Sequence, residues 1–223
     1  VPTLTPTASG TRTRSLTGLL ATAAVLALAA CTVTGATTGQ GGGGSAPPGQ
    51  AGAQLATLTV AGGLSMAGYS RDRFHIWAAQ GGNCDTRDVV LKRDGQGVAA
   101  DGNCKITKGS WTSPYNLKSY SDPLQLDIDH VVPLANAWKS GAKSWTDVQR
   151  TDFANDLTRP QLLAVDASDN RSKGDQDPST WKPPNQAFWC TYATDWITVK
   201  AYWKLTVTAA EKAALTTMLD SCT

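Results

Sequence analysis

Residues 124–134 read Leu-Gln-Leu-Asp-Ile-Asp-His-Val-Val-Pro-Leu, and this run leaves the chain few ways to fold around it. Leu124, Leu126 and Ile128 alternate with Gln125, Asp127 and Asp129, the period of a strand with one apolar and one polar face. Pro133 has no amide proton to give to a ladder. A strand over 124–132 therefore opens into a loop just after the Asp129-His130 pair. A carboxylate beside an imidazole at the mouth of a strand supplies the groups that a metal ligand and a general base require.

The rest of the chain is read around that strand. Ser70 can cap a short helix from Arg71 to about Ala79, ended by Gly81-Gly82. Residues 88–92 and 104–112 read as strands, the second bent at Gly109, with Gly95, Gly97, Asp101 and Gly102 forming the loop between them. Thr146 and Gln149 have capping-box spacing, which predicts a helix to about Ala154. Residues 161–165 form a short apolar strand, and Asn170 opens a polar turn or helix start. Phe188, Tyr192, Trp196, Val199 and Trp203 recur at helical spacing, and Thr208 with Glu211 caps a further helix. That aromatic stripe is a core face rather than a base-stacking surface. The expected class is α+β, with a small sheet, flanking helices and a C-terminal antiparallel helix pair.

The N-terminal region predicts export. Arg12 and Arg14 precede a small, apolar run from Leu16 to Ala30 that is short for a bilayer span, as in a signal peptide. Leu28-Ala29-Ala30-Cys31 resembles a lipobox, which implies cleavage before Cys31 and a lipid on its thiol. Residues 31–56, with Gly41 through Gly44 and Pro47-Pro48, read as a flexible tether of roughly 25–30 Å reach. The folded domain is expected over 57–223. Outside the leader the chain carries 18 basic and 18 acidic residues, so bulk charge gives no pull toward nucleic acid. The charges are uneven, however. Residues 71–118 hold eight Lys/Arg against five Asp, whereas 119–180 hold six against ten acids, a pattern open to a metal site beside a phosphate-binding flank.

Setting Cys31 aside leaves Cys84, Cys104, Cys190 and Cys222, an even number in an exported chain, which points to disulfides. Three pairings exist for four cysteines. Local geometry favours Cys84–Cys104 and Cys190–Cys222, the latter joining the start of one predicted helix to the end of the next. A zinc site is disfavoured, because no Cys-x-x-Cys pair occurs and neither histidine is near a cysteine pair.

Three segments in order carry a resemblance: Asp129-His130-Val131-Val132-Pro133-Leu134, Asn155-Asp156-Leu157, and Asp169-Asn170-Arg171-Ser172-Lys173-Gly174-Asp175. Together they resemble the ββα-metal core of HNH nucleases, in the form whose last motif histidine is an asparagine. CRISPR effector HNH domains, the C-terminal domains of GmrSD-type restriction enzymes and exported actinobacterial HNH endonucleases share it. The resemblance implies that Asp129 and Asn170 hold one divalent cation, Mg²⁺ or else Mn²⁺, through oxygen. It implies His130 as general base, Asn155 as the residue that orients the base-bearing loop, and Arg171 and Lys173 as phosphate contacts. Asp127, on the same strand face as Asp129, is expected just behind the metal ligands. Arg87 reaches the active site in this resemblance, although spacing alone does not establish it, and His75 reads as a surface residue. Asp166 to Asn170 fails the calcium-loop pattern, since Arg171 stands where glycine is needed.

The expected function is a largely sequence-nonspecific, metal-dependent endonuclease, monomeric, acting on DNA rather than RNA. It would be exported, either lipid-anchored on the outer face of the cytoplasmic membrane or secreted, and would meet the membrane only through its lipid. The contrasting expectation is a non-catalytic, disulfide-stabilised surface lipoprotein that binds a ligand or a cell-wall component.

Overall fold

The computed structural model describes residues 46–222. The expected leader and the lipid-bearing Cys31 lie outside the described residues. The elements run α1 (Pro48–Thr57), a 3-10 turn (Arg71–Phe74), β1 (Ala79–Gly81), β2 (Cys84–Asp85), α2 (Thr86–Asp94), β3 (Gln96–Ala100), β4 (Ile106–Thr112) and β5 (Ser119–Tyr120). After these come β6 (Leu126–His130), α3 (Leu134–Lys139), α4 (Asp147–Ala154), β7 (Leu162–Asp166), α5 (Ala167–Lys173), α6 (Trp189–Tyr202) and α7 (Ala209–Leu219). The class is α+β, as expected.

β6 and β7 pair antiparallel in an unbroken register, with Asp127 opposite Val165, Asp129 opposite Leu163 and His130 opposite Leu162. α5 follows β7 directly and packs on both strands, which completes a ββα unit. The hairpin divides two apolar clusters. Leu126, Ile128, Leu162 and Ala164 join Val90, Leu91 and Trp111 on one side. Leu163 and Val165 join Tyr115, Val131, Tyr192 and Trp196 on the other. Each side chain so buried is worth about 1.5–3 kcal/mol, and a one-residue slip of β6 would reverse both faces.

Local chemistry explains the remaining elements. α4 and α7 carry the capping boxes read from Thr146–Gln149 and Thr208–Glu211. Glu211 does more than cap: its Oε1 accepts from Trp196 Nε1 at 2.6 Å and pairs with the buried Lys200 at 2.6 Å, which locks α7 to α6. The disulfides are Cys84–Cys104 and Cys190–Cys222. The first ties the segment entering α2 to the β3–β4 turn, and the second fastens the first turn of α6 to the end of α7.

Several local expectations are overturned. Residues 88–92 are helical, not extended, because Asp85 and Asp88 form a reciprocal capping box that opens α2. The expected glycine-rich loop contains β3, which pairs with β4. β4 runs unbroken through Gly109, where a Cβ would lie 2.5 Å from the Trp111 ring. The glycine is there to let that ring lie flat, not to bend the strand. The helix expected after Ser70 is a single 3-10 turn, stopped at His75 with φ 42°. The exposed Leu124 precedes β6 and sits in a 3-10 turn. Asn170 lies within α5, whose cap is Asp166. The tether expected over 31–56 is interrupted as well. α1 occupies Pro48–Thr57, buries Ala51 and Leu55, and packs on α6 and α7.

Candidate active site

A cavity of about 370 Å³ opens at the C-terminal end of β6. Asp129, His130 and Asn170 line it together with Met66, Tyr69, Arg71 and Asp175. Three residues expected at the site, from two separate motif segments, thus line one cavity.

His130 is almost fully buried and its Nε2 lies 2.9 Å from the Ala154 carbonyl. A carbonyl can only accept, so Nε2 carries the proton and Nδ1 keeps the lone pair. Trp77 stacks on the imidazole, with ring centroids 5.7 Å apart and planes 18° from parallel. Burial lowers the pKa of His130 to about 3, and the charge of Arg71 contributes in the same direction. The ring is therefore neutral across the physiological range.

Asn155 does not touch His130. Its Oδ1 accepts from the amide of Ala78 and the hydroxyl of Thr86, and its Nδ2 donates to the carbonyls of His75 and Thr151. The clamped segment includes His75 and Trp77, both at positive φ, a conformation that costs bulky residues energy unless neighbours hold it. Asn155 thus bonds the loop ahead of the site rather than the imidazole. It holds the loop that lays Trp77 over His130, and it ends α4 where Ala154 offers its carbonyl.

Asp129 is buried. Lys173 Nζ lies 2.8 Å from each of its carboxylate oxygens and 2.8 Å from the His130 carbonyl, while the Tyr115 hydroxyl donates a short hydrogen bond to Oδ2. Burial pushes the Asp129 carboxyl up and the Lys173 ammonium down, and their mutual attraction opposes both shifts. The expectation that Lys173 meets phosphate is therefore corrected: it is fully buried and neutralises Asp129. Arg171 remains largely exposed, with its Nε 3.4 Å from Asp127 Oδ2. The same oxygen accepts from Asn170 Nδ2 at 3.2 Å. Asp127 thereby fixes which end of the Asn170 amide is nitrogen and leaves Oδ1 as the end able to accept or to ligate. Arg87 does not line the cavity. It grips the Pro123 and Leu126 carbonyls and braces the start of β6. His75 is exposed, as read.

Among the described residues no three His, Cys, Asp or Glu side chains cluster as a metal site. The oxygen donors lining the cavity include the Asp129 and Asp175 carboxylates and the Asn170 amide, with Asp175 paired to Lys139. A carboxylate offers about four lone-pair sites, and Lys173 and Tyr115 occupy three of those on Asp129. This set suits a hard cation that keeps much of its water, as Mg²⁺ does, and does not suit a soft one.

Tyr115, Trp77 and Arg71 were not legible as site residues. Tyr115 sits in an aperiodic turn and reaches Asp129 only through the folded core. Trp77 and Arg71 belong to a segment whose sole signal was a cap at Ser70.

The Asp-His pair thus stands at the strand mouth of a ββα unit. Residues 85–218, more than half of the chain, match the C-terminal domain of GmrSD restriction endonucleases, and the chain belongs to that family. An uncharacterized secreted protein of Arthroderma benhamiae is 55% identical over 168 residues, which cover 75% of this chain and 82% of that protein. No solved structure matches the chain.

Proposed function

We propose that the protein is a metal-dependent endonuclease of the HNH type that hydrolyses DNA phosphodiester bonds with little sequence preference. The observation that carries this reading is the His130–Ala154 hydrogen bond, which leaves a neutral imidazole with a free Nδ1 lone pair on a residue that lines the same cavity as Asp129 and Asn170. In this reading Nδ1 takes a proton from water, the water oxygen forms a bond to phosphorus, and the bond from phosphorus to the 3′ oxygen breaks. Asp129 and Asn170 would hold one Mg²⁺, with Mn²⁺ as a substitute, and that ion would stabilise charge on the phosphate and on the departing oxygen. Asp127 keeps the Asn170 amide oriented, and Arg171 meets flanking backbone. With no net charge outside the leader, affinity for DNA should be modest and fall with salt.

The secreted relative and the two disulfides support export. We place the domain at the cell surface on a lipid at Cys31, or free after release, as a monomer. The deciding experiment is supercoiled-plasmid nicking by the purified oxidised domain with and without Mg²⁺ or Mn²⁺, beside His130→Ala. Nicking that requires metal and disappears in the variant supports the reading, and equal nicking by both proteins rejects His130 as the base. One observation favours a second reading, a non-catalytic binding lipoprotein: the Asp129 oxygens are already engaged by Lys173 and Tyr115. That reading requires no cleavage of DNA or RNA with any divalent metal.

A further inference from the structure

Three charged side chains line the cavity: Asp129, Asp175 and Arg71. Two of them are answered within the protein, Asp129 by Lys173 at 2.8 Å and Asp175 by Lys139 at 3.3 Å. Arg71 is not. It is exposed, and no hydrogen bond or ion pair to it occurs among the described residues. Its backbone is nonetheless fixed. Ser70 caps the 3-10 turn, Phe74 is fully buried, and the turn packs on α3 and α4. Next to it Arg73 lies over the Trp138 ring at 5.7 Å. Arg71 thus offers a free guanidinium on an anchored base, at the edge of a cavity whose other lining charges are cancelled. Its field reaches both walls, since it helps keep His130 neutral and acts on Tyr69 as well. A guanidinium presents a planar fork of N–H donors that matches two phosphate oxygens. Lys173, the cation that the motif would have put in this role, is buried behind Asp129.

We propose that Arg71 receives the scissile phosphodiester in this cavity, pairing with its non-bridging oxygens while His130 faces the attacking water. The inference rests on the nuclease reading and adds a residue to it from outside the family match, which begins at residue 85. Because the fork approaches two oxygens at once, lysine should replace its charge but not its alignment.

The test is fluorescence anisotropy of a labelled duplex in EDTA, where hydrolysis is suppressed, over a salt series with the full exported chain. Parent, Arg71→Ala, Arg71→Lys and Lys92→Ala are compared; Lys92 is an exposed cation of α2 that does not line the cavity. Losing one phosphate contact should reduce the slope of log K against log salt by about 0.9. Arg71→Ala should show that reduction, while Arg71→Lys and Lys92→Ala keep the parent slope. In plasmid nicking with Mg²⁺, Arg71→Ala should lose about tenfold to a hundredfold in kcat/KM, and Arg71→Lys should recover only part of it. An unchanged slope in Arg71→Ala, or an equal drop in Lys92→Ala, overturns the assignment. A parent that nicks normally while Arg71→Ala nicks equally well sinks Arg71 alone. A parent that binds DNA through Arg71 but never cleaves it sinks the nuclease reading on which the assignment rests.

Discussion

The Lys173 ammonium bridges both carboxylate oxygens of Asp129 and also holds the carbonyl of His130, each at 2.8 Å. One buried cation, on the last residue of α5, therefore fixes the strand mouth where the two motif residues stand. Removing one partner of such a pair strands a charge in the core, at a cost of about 3–5 kcal/mol. Urea unfolding of Lys173→Met should show a loss of that size. The double variant Lys173→Met/Asp129→Asn should be less destabilised than the sum of the singles, and simple additivity would mean that the pair is not coupled.

Asn155 acts at a distance. Its replacement by alanine removes four hydrogen bonds, and each buried group left unpaired costs about 1–3 kcal/mol. The loop bearing Trp77 should relax, so the Trp77–His130 stack should loosen and kcat should fall about tenfold to a hundredfold. Because the chain has eight tryptophans, the check that separates positioning from mere instability is the Trp77 contribution to fluorescence, taken as the difference from a Trp77→Phe background, at a temperature where the variant is fully folded. An unshifted spectrum with reduced kcat would argue against this route.

His130 provides a pH signature. Its folded pKa of about 3 lies below the unfolded value of about 6.5. Above pH 6.5 both states are neutral and the full contribution to stability is present. As pH falls toward 3 the unfolded chain binds a proton that the folded one refuses, so stability declines by up to about 1.4 kcal/mol per pH unit from this group. Urea midpoints of the metal-free protein between pH 7 and 4 should fall more steeply than those of His130→Asn. Parallel slopes would show that the ring is not held neutral.

The disulfides close loops of 20 and 32 residues, each worth about 3–4 kcal/mol by chain entropy. Cys190→Ser/Cys222→Ser should lower thermal stability markedly while leaving kcat near parental at low temperature, because that bridge braces α6 and α7 rather than the cavity. A large fall in kcat with little change in melting would contradict this division of labour.

The sequence was legible where one interaction dominates locally. The alternation through Ile128, the stop at Pro133 and the capping boxes at Thr146 and Thr208 are written within a few residues, and each is present in the fold. Asp85 and Asp88 form the same kind of box, but the β-branched pair Val89-Val90 drew the reading toward a strand. Lys173 was misread for a different reason. A lysine in a polar run looks like a solvated cation, and only the packing of α5 against β6 shows the carboxylate waiting for it. Tyr115 and Arg71 reach the site across long sequence separations that no pattern encodes.

The bonding between the N-terminal segment and the end of the chain sets a boundary of its own. The Val207 amide donates to the Thr59 carbonyl, the Ala61 amide donates to the Val207 carbonyl, and α1 lies across α6 and α7. A gene fragment trimmed to residues 85–218 would keep the whole of the family match. It would nonetheless shed the cover of α6, the ring stacked on the imidazole and half of each disulfide. The stretch that the family match covers is thus smaller than the unit that folds, and a recombinant made at the first set of ends should be insoluble where one beginning at residue 46 is not.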